Sequence, residues 1–168
     1  MGALEGIRVI DLTQMLAGPY ATMLLADHGA EVIKVEPKHG DGARAVPVFH
    51  PADETKVLNS YFQSINRNKK SITVDLKSAE GKATLLELVA DADVIVENFS
   101  AGVMDRLDLG YETLKAVNPK IIYGSLSGFW RADTGASPYT QWPAFDVIAQ
   151  AMGGIVSVTG GEPGEMAK

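Results

Sequence analysis

The sequence contains no cysteine, which excludes cysteine nucleophiles, disulfides and iron–sulfur clusters. It also lacks any run of about 18 apolar residues, the length that a membrane-spanning helix requires. The first residues, MGALEGIRVIDLT, do not combine a basic segment with a long apolar one. We therefore expect no signal peptide and a cytoplasmic protein. The three histidines (His28, His39 and His50) have no metal-ligand spacing, so we expect no metal site.

An excess of basic residues is also missing. The net charge is −6 and the isoelectric point is about 5.0, which argues against a nucleic-acid partner because duplex binding requires a clustered basic face. A local basic cluster can still hold a phosphorylated small molecule. The chain has 168 residues, of which 46% are hydrophobic, enough to form the core of one domain. We expect residues 1–168 to form that domain.

Short β-branched runs alternate with amphipathic segments along the chain. The runs predict strands at residues 7–11, 31–35, 71–75, 93–96 and 121–125. Between them, the pattern predicts a helix over 17–30 that ends near Gly29, a helix over 79–92 capped by Ser78, and short helices near 102–107 and 111–117. Strands separated by helices imply parallel crossovers, hence a Rossmann-like α/β fold with a parallel sheet and flanking helices.

Two segments do not follow this alternation. Residues 37–55, with three prolines and two glycines among few periodic apolar positions, predict a long loop, and loops of this length in a compact domain are usually functional or disordered. Residues 153–168 end in a polar run rich in glycine and proline. We expect the architecture to continue beyond this point.

Three motifs have both a functional and a structural interpretation. DLTQMLAGP follows the first strand, where a helix N-terminus can bind an anion, or Gly18 and Pro19 simply begin a helix. A GxGxxG fingerprint is absent, which disfavours a nicotinamide dehydrogenase. A basic cluster flanks the third strand and either holds phosphate groups or is a solvated strand entry; its members are Arg67, Lys69, Lys70 and Lys77. Asp146 either caps a helix or contacts a ligand.

Four blocks of the sequence, taken in order, resemble the family III CoA-transferases, also called the CaiB/BaiF family. They are GIRVIDLTQMLAGPYATMLLADHGAEVIKVEP, NRNKKSITVDLKSAEGKATLLELVADADVIVENFSAGVMDRL, YETLKAVNPKIIYGSLSGF and PAFDVIAQAMGGIVSVTG. The resemblance covers nearly the whole chain except the loop at 38–55. Family members are longer and form interlocked dimers around a Rossmann-like first domain. The resemblance thus implies the N-terminal portion of such a fold, and a homodimer for the full-length form.

The resemblance assigns coenzyme A (CoA) contacts to several positions. By similarity to formyl-CoA transferase, the loop before AGP contacts CoA, which here means Leu16 and Ala17. Lys38 stands near the position of an arginine in relatives and supplies a point charge without the bidentate fork. The adenosine-phosphate end is expected around Val74, Lys77, Asn98, Phe99 and Arg106. Asp146 matches a supporting acid beside the active centre.

The resemblance also implies a reaction. CoA would move from an acyl-CoA to a small carboxylic acid through an aspartate that follows the VTG turn and lies beyond Lys168. We therefore expect the 168 residues to lack transfer activity, with CoA as a substrate and no permanently bound cofactor. An α-methylacyl-CoA racemase is the alternative enzyme, although it would have histidine at Phe145 and arginine at Ser100. A non-catalytic CoA-binding fragment is the third interpretation.

Overall fold

The computed structural model describes residues 2–49, 51–55, 59–129 and 137–159. Residues up to Leu126 form one compact unit around a five-stranded parallel sheet with the order β3-β2-β1-β4-β5. The strands are β1 (Arg8–Asp11), β2 (Glu31–Glu36), β3 (Lys69–Thr73), β4 (Val94–Glu97) and β5 (Ile122–Ser125). The helices of this unit are α1 (Ala17–Asp27), α2 (Ser60–Asn66), α3 (Ala79–Ala90), α4 (Val103–Arg106) and α5 (Tyr111–Val117), with a 3-10 turn at Gly42–Ala45.

One face of the sheet holds the larger hydrophobic core. Ile10 of β1 and Ile95 of β4 point into it and meet Leu85 of α3 and Leu114 of α5, all of them fully buried. Burying a side chain of this size contributes about 1.5–3 kcal/mol. These contacts place α3, α4 and α5 on one side of the sheet and leave the opposite side for α1.

The face that packs against α1 changes character along the strands. At its amino-terminal end, Val9 and Val32 pack with Ala26 of α1 in a smaller apolar cluster. Two residues further along the same face, β1 and β2 carry Asp11 and Lys34, which are register partners and fully buried. Strand alternation therefore delivers buried charges to the carboxyl end of the sheet.

The fold predicted from sequence is confirmed, with local differences. β3 begins at Lys69 and ends at Thr73, two residues earlier than the predicted strand. α1 ends at Asp27, where Gly29 follows with φ +103°, a left-handed conformation that glycine adopts without strain. Ser78 caps α3 by accepting a hydrogen bond from the Gly81 amide, as predicted.

Helix α2 was not predicted, and it follows a 3-10 turn within the predicted loop at 37–55. Asn59, which follows the loop, caps α2 and also donates to the carbonyl of Val46 within the loop. A side chain thus anchors the loop to the helix that follows it. None of the helices in the described residues is long and apolar enough to cross a membrane.

Residues from Ser127 onward form a second compact unit. Its described elements are α6 (Asp146–Met152) and α7 (Ile155–Val158). Gly154, between the two helices, has φ +82°. Neither helix buries a residue, and Phe145 and Val158 are strongly exposed.

Candidate functional site

At the carboxyl edge of the sheet, the strand order reverses between β1 and β4. Open parallel sheets bind ligands at this kind of position. Asn98, directly after β4, reaches the loop after β1. Its Oδ1 accepts from the Gln14 amide at 2.8 Å and its Nδ2 donates to the Gln14 carbonyl at 2.8 Å. One side chain thereby fixes both backbone groups of Gln14.

The residues on either side of Gln14 are held in the same way. The buried ammonium of Lys34 donates to the Thr13 carbonyl at 2.7 Å. The Met15 amide donates to Asp41 Oδ1 at 3.0 Å. Met15 has φ +68°, which is uncommon for a residue with a side chain and costs about 1–2 kcal/mol. The loop at residues 13–15, which we call the β1 loop, is therefore fixed residue by residue by side chains from its neighbours.

Lys34 and Asp41 form a buried ion pair beneath the β1 loop. Lys34 Nζ lies 2.9 Å from Asp41 Oδ2, and the two side chains are 1% and 0% exposed. Among the described residues Oδ2 accepts no hydrogen bond, so this contact is electrostatic without hydrogen-bond alignment. Asp41 Oδ1 also accepts from the Ala43 amide at 2.9 Å. The pair joins the loops that follow β1 and β2.

Asp11 and Lys69 form a second buried pair on the same face. Asp11 Oδ2 accepts from Lys69 Nζ at 2.9 Å and from the Thr22 hydroxyl at 2.7 Å, while Oδ1 accepts from Thr13. Burial raises the pKa of Asp11, but the charges of Lys34 and Lys69 outweigh this effect and the pKa lies below its usual value. Burial lowers the pKa of Lys69 in spite of Asp11. The face thus contains two cations and two anions in close proximity.

The pKa of Glu36, the last residue of β2, is also lowered. Burial would raise its pKa, but Arg44, Ser71 and the Asp41 amide all donate to it, and the pKa falls to about 2. Arg44 binds in a bidentate manner, with nitrogen–oxygen distances of 2.7 and 2.8 Å, and its guanidinium stacks on Phe62 at 3.6 Å. Glu36 thereby fastens the loop after β2.

Helix α1 begins directly after the β1 loop. Leu16 precedes its first residue and is 50% exposed, and Ala17 is exposed as well. Gly18 is required here, because a Cβ atom would lie 2.3 Å from Thr13 Cβ. The glycine lets α1 approach the β1 loop closely. Its amino-terminal amides and its dipole favour an anionic group at this end.

The remaining residues that the resemblance assigns to CoA follow β2, β3 and β4 in the chain. Lys38 follows β2 and Lys77 follows β3, and both are exposed. Val74 packs in the core, so a ligand at that position would meet its backbone. Phe99 is half-buried against the core, and Arg106 ends α4 with its guanidinium directed at the Ala101 carbonyl at 3.4 Å. The roles of these residues in CoA binding stay predictions.

Asp146 lies in the second unit. It is the first residue of α6, is exposed, and accepts a hydrogen bond from Gln150 one turn later. This is the position of a carboxylate that complements the helix dipole. The helix start predicted at Asp146 is confirmed, whereas its supporting catalytic role stays a prediction.

The basic cluster is distributed differently from the predicted phosphate site. Lys69 is buried against Asp11, Lys70 pairs with Glu31, and Arg67 pairs with Asp27. The three cations therefore neutralise carboxylates of β1, β2 and α1. Lys77 is the member that reaches the carboxyl edge of the sheet without a described ion pair.

Sequence reasoning did not predict that five charged side chains would be buried below the site, although it had placed the last of them in the basic cluster: Asp11, Lys34, Glu36, Asp41 and Lys69. A signal for them existed. Strands buried on both faces of a parallel sheet usually read as continuous apolar runs, and EVIKVE places a lysine and a glutamate inside such a run. Charges in those positions need buried partners.

Comparison with known proteins connects this geometry to a family. The sequence model of CoA-transferase family III matches residues 4–168. The chain is 50% identical to a succinyl-CoA:mesaconate CoA-transferase of Haloarcula hispanica over 168 residues, which cover 100% of this chain and 42% of the relative. It is 47% identical to a formyl-CoA:oxalate CoA-transferase of Streptomyces coelicolor over 162 residues, covering 96% of this chain and 37% of that one.

Solved structures agree. A CaiB/BaiF family protein of Brucella suis superposes with a TM-score of 0.86 at 41% identity, over 99% of this chain and 43% of that one. A protein of Mycobacterium tuberculosis superposes with a TM-score of 0.88 at 38% identity, over 99% of this chain and 44% of the other. The chain spans about two fifths of the length of these relatives.

Proposed function

The chain belongs to CoA-transferase family III, and from this membership we propose that it supplies the CoA-binding part of an enzyme that moves CoA from an acyl-CoA to a carboxylic acid. The observation that carries the proposal is the match over residues 4–168, and the reversal of strand order between β1 and β4 supports it. The relatives named above are CoA-transferases, which favours transfer over the racemase alternative.

In this proposal the phosphate-bearing end of CoA lies along the carboxyl edge of the sheet. The start of α1 at Leu16 and Ala17 faces it, and Lys77 in the loop after β3 and Arg106 at the end of α4 supply positive charge. Asn98 contributes indirectly, because it holds the β1 loop in place. Cationic side chains at loop ends suit a ligand that carries several phosphate charges.

We further propose that an aspartate outside these 168 residues forms the covalent intermediates. Its carboxylate attacks the acyl-CoA carbonyl, giving an acyl-aspartyl anhydride and CoA thiolate. The thiolate then attacks the aspartyl carbonyl, releasing the first acid and leaving an aspartyl-CoA thioester. The acceptor carboxylate then attacks the aspartyl thioester, which forms a second anhydride and releases CoA thiolate. The thiolate attacks the acceptor's acyl carbonyl of this anhydride, giving the new acyl-CoA and freeing the aspartate carboxylate. Asp146 would support this chemistry rather than perform the attack.

The first experiment measures binding. Isothermal titration of the 168-residue chain with free CoA should give a saturable one-to-one heat, because the proposed contacts lie within residues 16–106. Titration with pantetheine, which lacks the adenosine and phosphate groups, is the matched control and should bind far more weakly. Absence of saturable binding by CoA would remove the proposal.

The second experiment measures transfer. The chain is incubated with succinyl-CoA, formyl-CoA or acetyl-CoA and with mesaconate, oxalate or glutarate, the acids named in relatives. Mass spectrometry should detect no acyl-CoA formed from the acceptor acid, even if the chain binds CoA. The reason is that loss of a covalent nucleophile lowers the rate by several orders of magnitude. Turnover that disappears in the Asp146→Ala variant would contradict our assignment of the nucleophile. The homodimer implied by the resemblance and the cytoplasmic location expected from the sequence are also proposals, and sedimentation of the full-length form would test the first.

A further inference from the structure

The proposed function gives Asp41 and Lys34 no role in CoA binding. Both residues nevertheless lie directly beneath the β1 loop. Asp41 Oδ1 accepts from the Met15 amide at 3.0 Å and from the Ala43 amide at 2.9 Å. Its other oxygen lies 2.9 Å from Lys34 Nζ, and both side chains are completely enclosed. One carboxylate thus serves two loops and one buried counterion.

The backbone of Met15 shows what this carboxylate does. Met15 has φ +68°, and its side chain is 43% exposed although its amide is bound from below. A left-handed residue with a side chain persists only where its surroundings enforce that conformation, and such residues cluster at ligand sites. The Met15 peptide leads directly into Leu16 and Ala17, the start of α1. A change in φ at Met15 would therefore redirect both residues.

Asp41 is held in place from several directions. Its own amide donates to Glu36 Oε2 at 2.9 Å, and Glu36 is in turn clamped by Arg44 and Ser71. The carboxylate of Asp41 is consequently a fixed acceptor in the loop after β2, not a mobile surface group. Rigid supporting contacts of this kind determine whether a binding loop is preorganised.

We propose that Asp41 is a positioning residue, with Lys34 as its counterion, which holds the β1 loop and the start of α1 in the conformation that binds CoA. This inference rests on the proposed function, because it assigns Asp41 a role at that same site. Asp41 itself does not touch CoA. It raises affinity by removing the need to order the loop during binding.

The test separates the hydrogen bonds of Asp41 from its charge. In a Lys34→Met background, Asp41→Asn retains a carbonyl acceptor for the Met15 and Ala43 amides, whereas Asp41→Leu removes it at nearly the same volume. Both double variants are free of buried charge at this pair. Their difference in CoA affinity therefore reports the acceptor and not an unpaired ion.

We expect the leucine variant to bind CoA about ten- to hundredfold more weakly than the asparagine variant, the scale of two lost charge-assisted or amide hydrogen bonds. Thermal melting checks that both fold, and titration is performed well below the lower melting temperature. If the leucine variant does not fold, Asp41→Ala replaces it in the same background. Amide hydrogen exchange at Met15 should be faster without the acceptor, with Ile10 in β1 unchanged.

Two failures can be told apart. If the original chain does not bind CoA, the proposed function is wrong and this role disappears with it. If the original chain binds and the asparagine and leucine variants bind equally within about twofold, Asp41 does not position the loop and only the present inference is overturned.

Discussion

Replacing Glu36 with glutamine should lower the free energy of unfolding at neutral pH and remove part of its acid dependence. The pKa of Glu36 falls from 4.5 to about 2 in the folded chain. One unit of pKa corresponds to about 1.4 kcal/mol, so this difference sets an upper bound of about 3.4 kcal/mol on the contribution. Arg44, its main partner, is 40% exposed, and solvent screening weakens the pair. We therefore expect Glu36→Gln to lower the free energy of unfolding at neutral pH by about 2 kcal/mol.

The direction of the pH dependence follows from the lowered pKa. A carboxyl group that ionises more readily when folded stabilises the folded state above its unfolded pKa, here 4.5, and loses that contribution as the pH falls toward about 2. The difference between the original chain and Glu36→Gln should therefore shrink from about 2 kcal/mol near pH 6 to almost nothing near pH 2.

The assay has to measure unfolding of the unit that contains the sheet. Both tryptophans, Trp130 and Trp142, lie outside the unit that ends at Leu126, so their fluorescence is unsuitable. Urea denaturation followed by far-ultraviolet circular dichroism, repeated between about pH 3 and pH 7, measures the required free energies. Glu87→Gln, an exposed change on α3, is the matched control. A Glu36→Gln deficit that stays the same over this pH range would refute the reasoning.

Three further substitutions test other contacts. Lys69→Met should lower the free energy of unfolding by about 3–5 kcal/mol, because Asp11 keeps a buried charge without its nearest counterion; a loss below about 1 kcal/mol in urea denaturation would contradict this. Gly18→Ala should cost about 1–3 kcal/mol because its Cβ would strike Thr13, and an unchanged melting temperature would disprove the clash. Arg106→Ala should weaken CoA binding by about 1–3 kcal/mol with unchanged melting, and titration giving the original affinity would remove Arg106 from the site.

The sequence predicts the positions of most strands well, because a buried parallel strand can be recognised from its own short apolar run. Runs such as IRVID and DVIV are short, β-branched and bounded by polar residues, so their positions in the structure differ from prediction by a single residue. β3 is the exception. Its first residues, Lys69 and Lys70, resemble a surface segment, and only their distant partners Asp11 and Glu31 make them part of the strand.

The candidate site is predictable only in part because, as in β3, some of its contacts join residues that are distant in the sequence. A loop after a strand can be recognised locally, and the resemblance adds Leu16 and Ala17 on matching motifs. The contacts that shape the loop are not local, since Asn98 reaches Gln14 across 84 positions and Lys34 reaches Thr13 across 21. Helix α2 escaped prediction because SYFQSIN is short and has no clear apolar period.

The change from valines to ions along one sheet face has a consequence for how the strands align. A slip of two residues between β1 and β2 would preserve the alternation of side chains and would leave apolar patterning satisfied. The slip would also separate Lys34 from its register partner Asp11. One of the two charged residues would then pair with a valine of the other strand. We infer that the buried ions reject such misaligned pairings, and a variant with neutral residues at both positions should show additional amide resonances for β1 if this is so. The same ions that shape the binding edge would then also act as the alignment marks by which the sheet assembles in a single register.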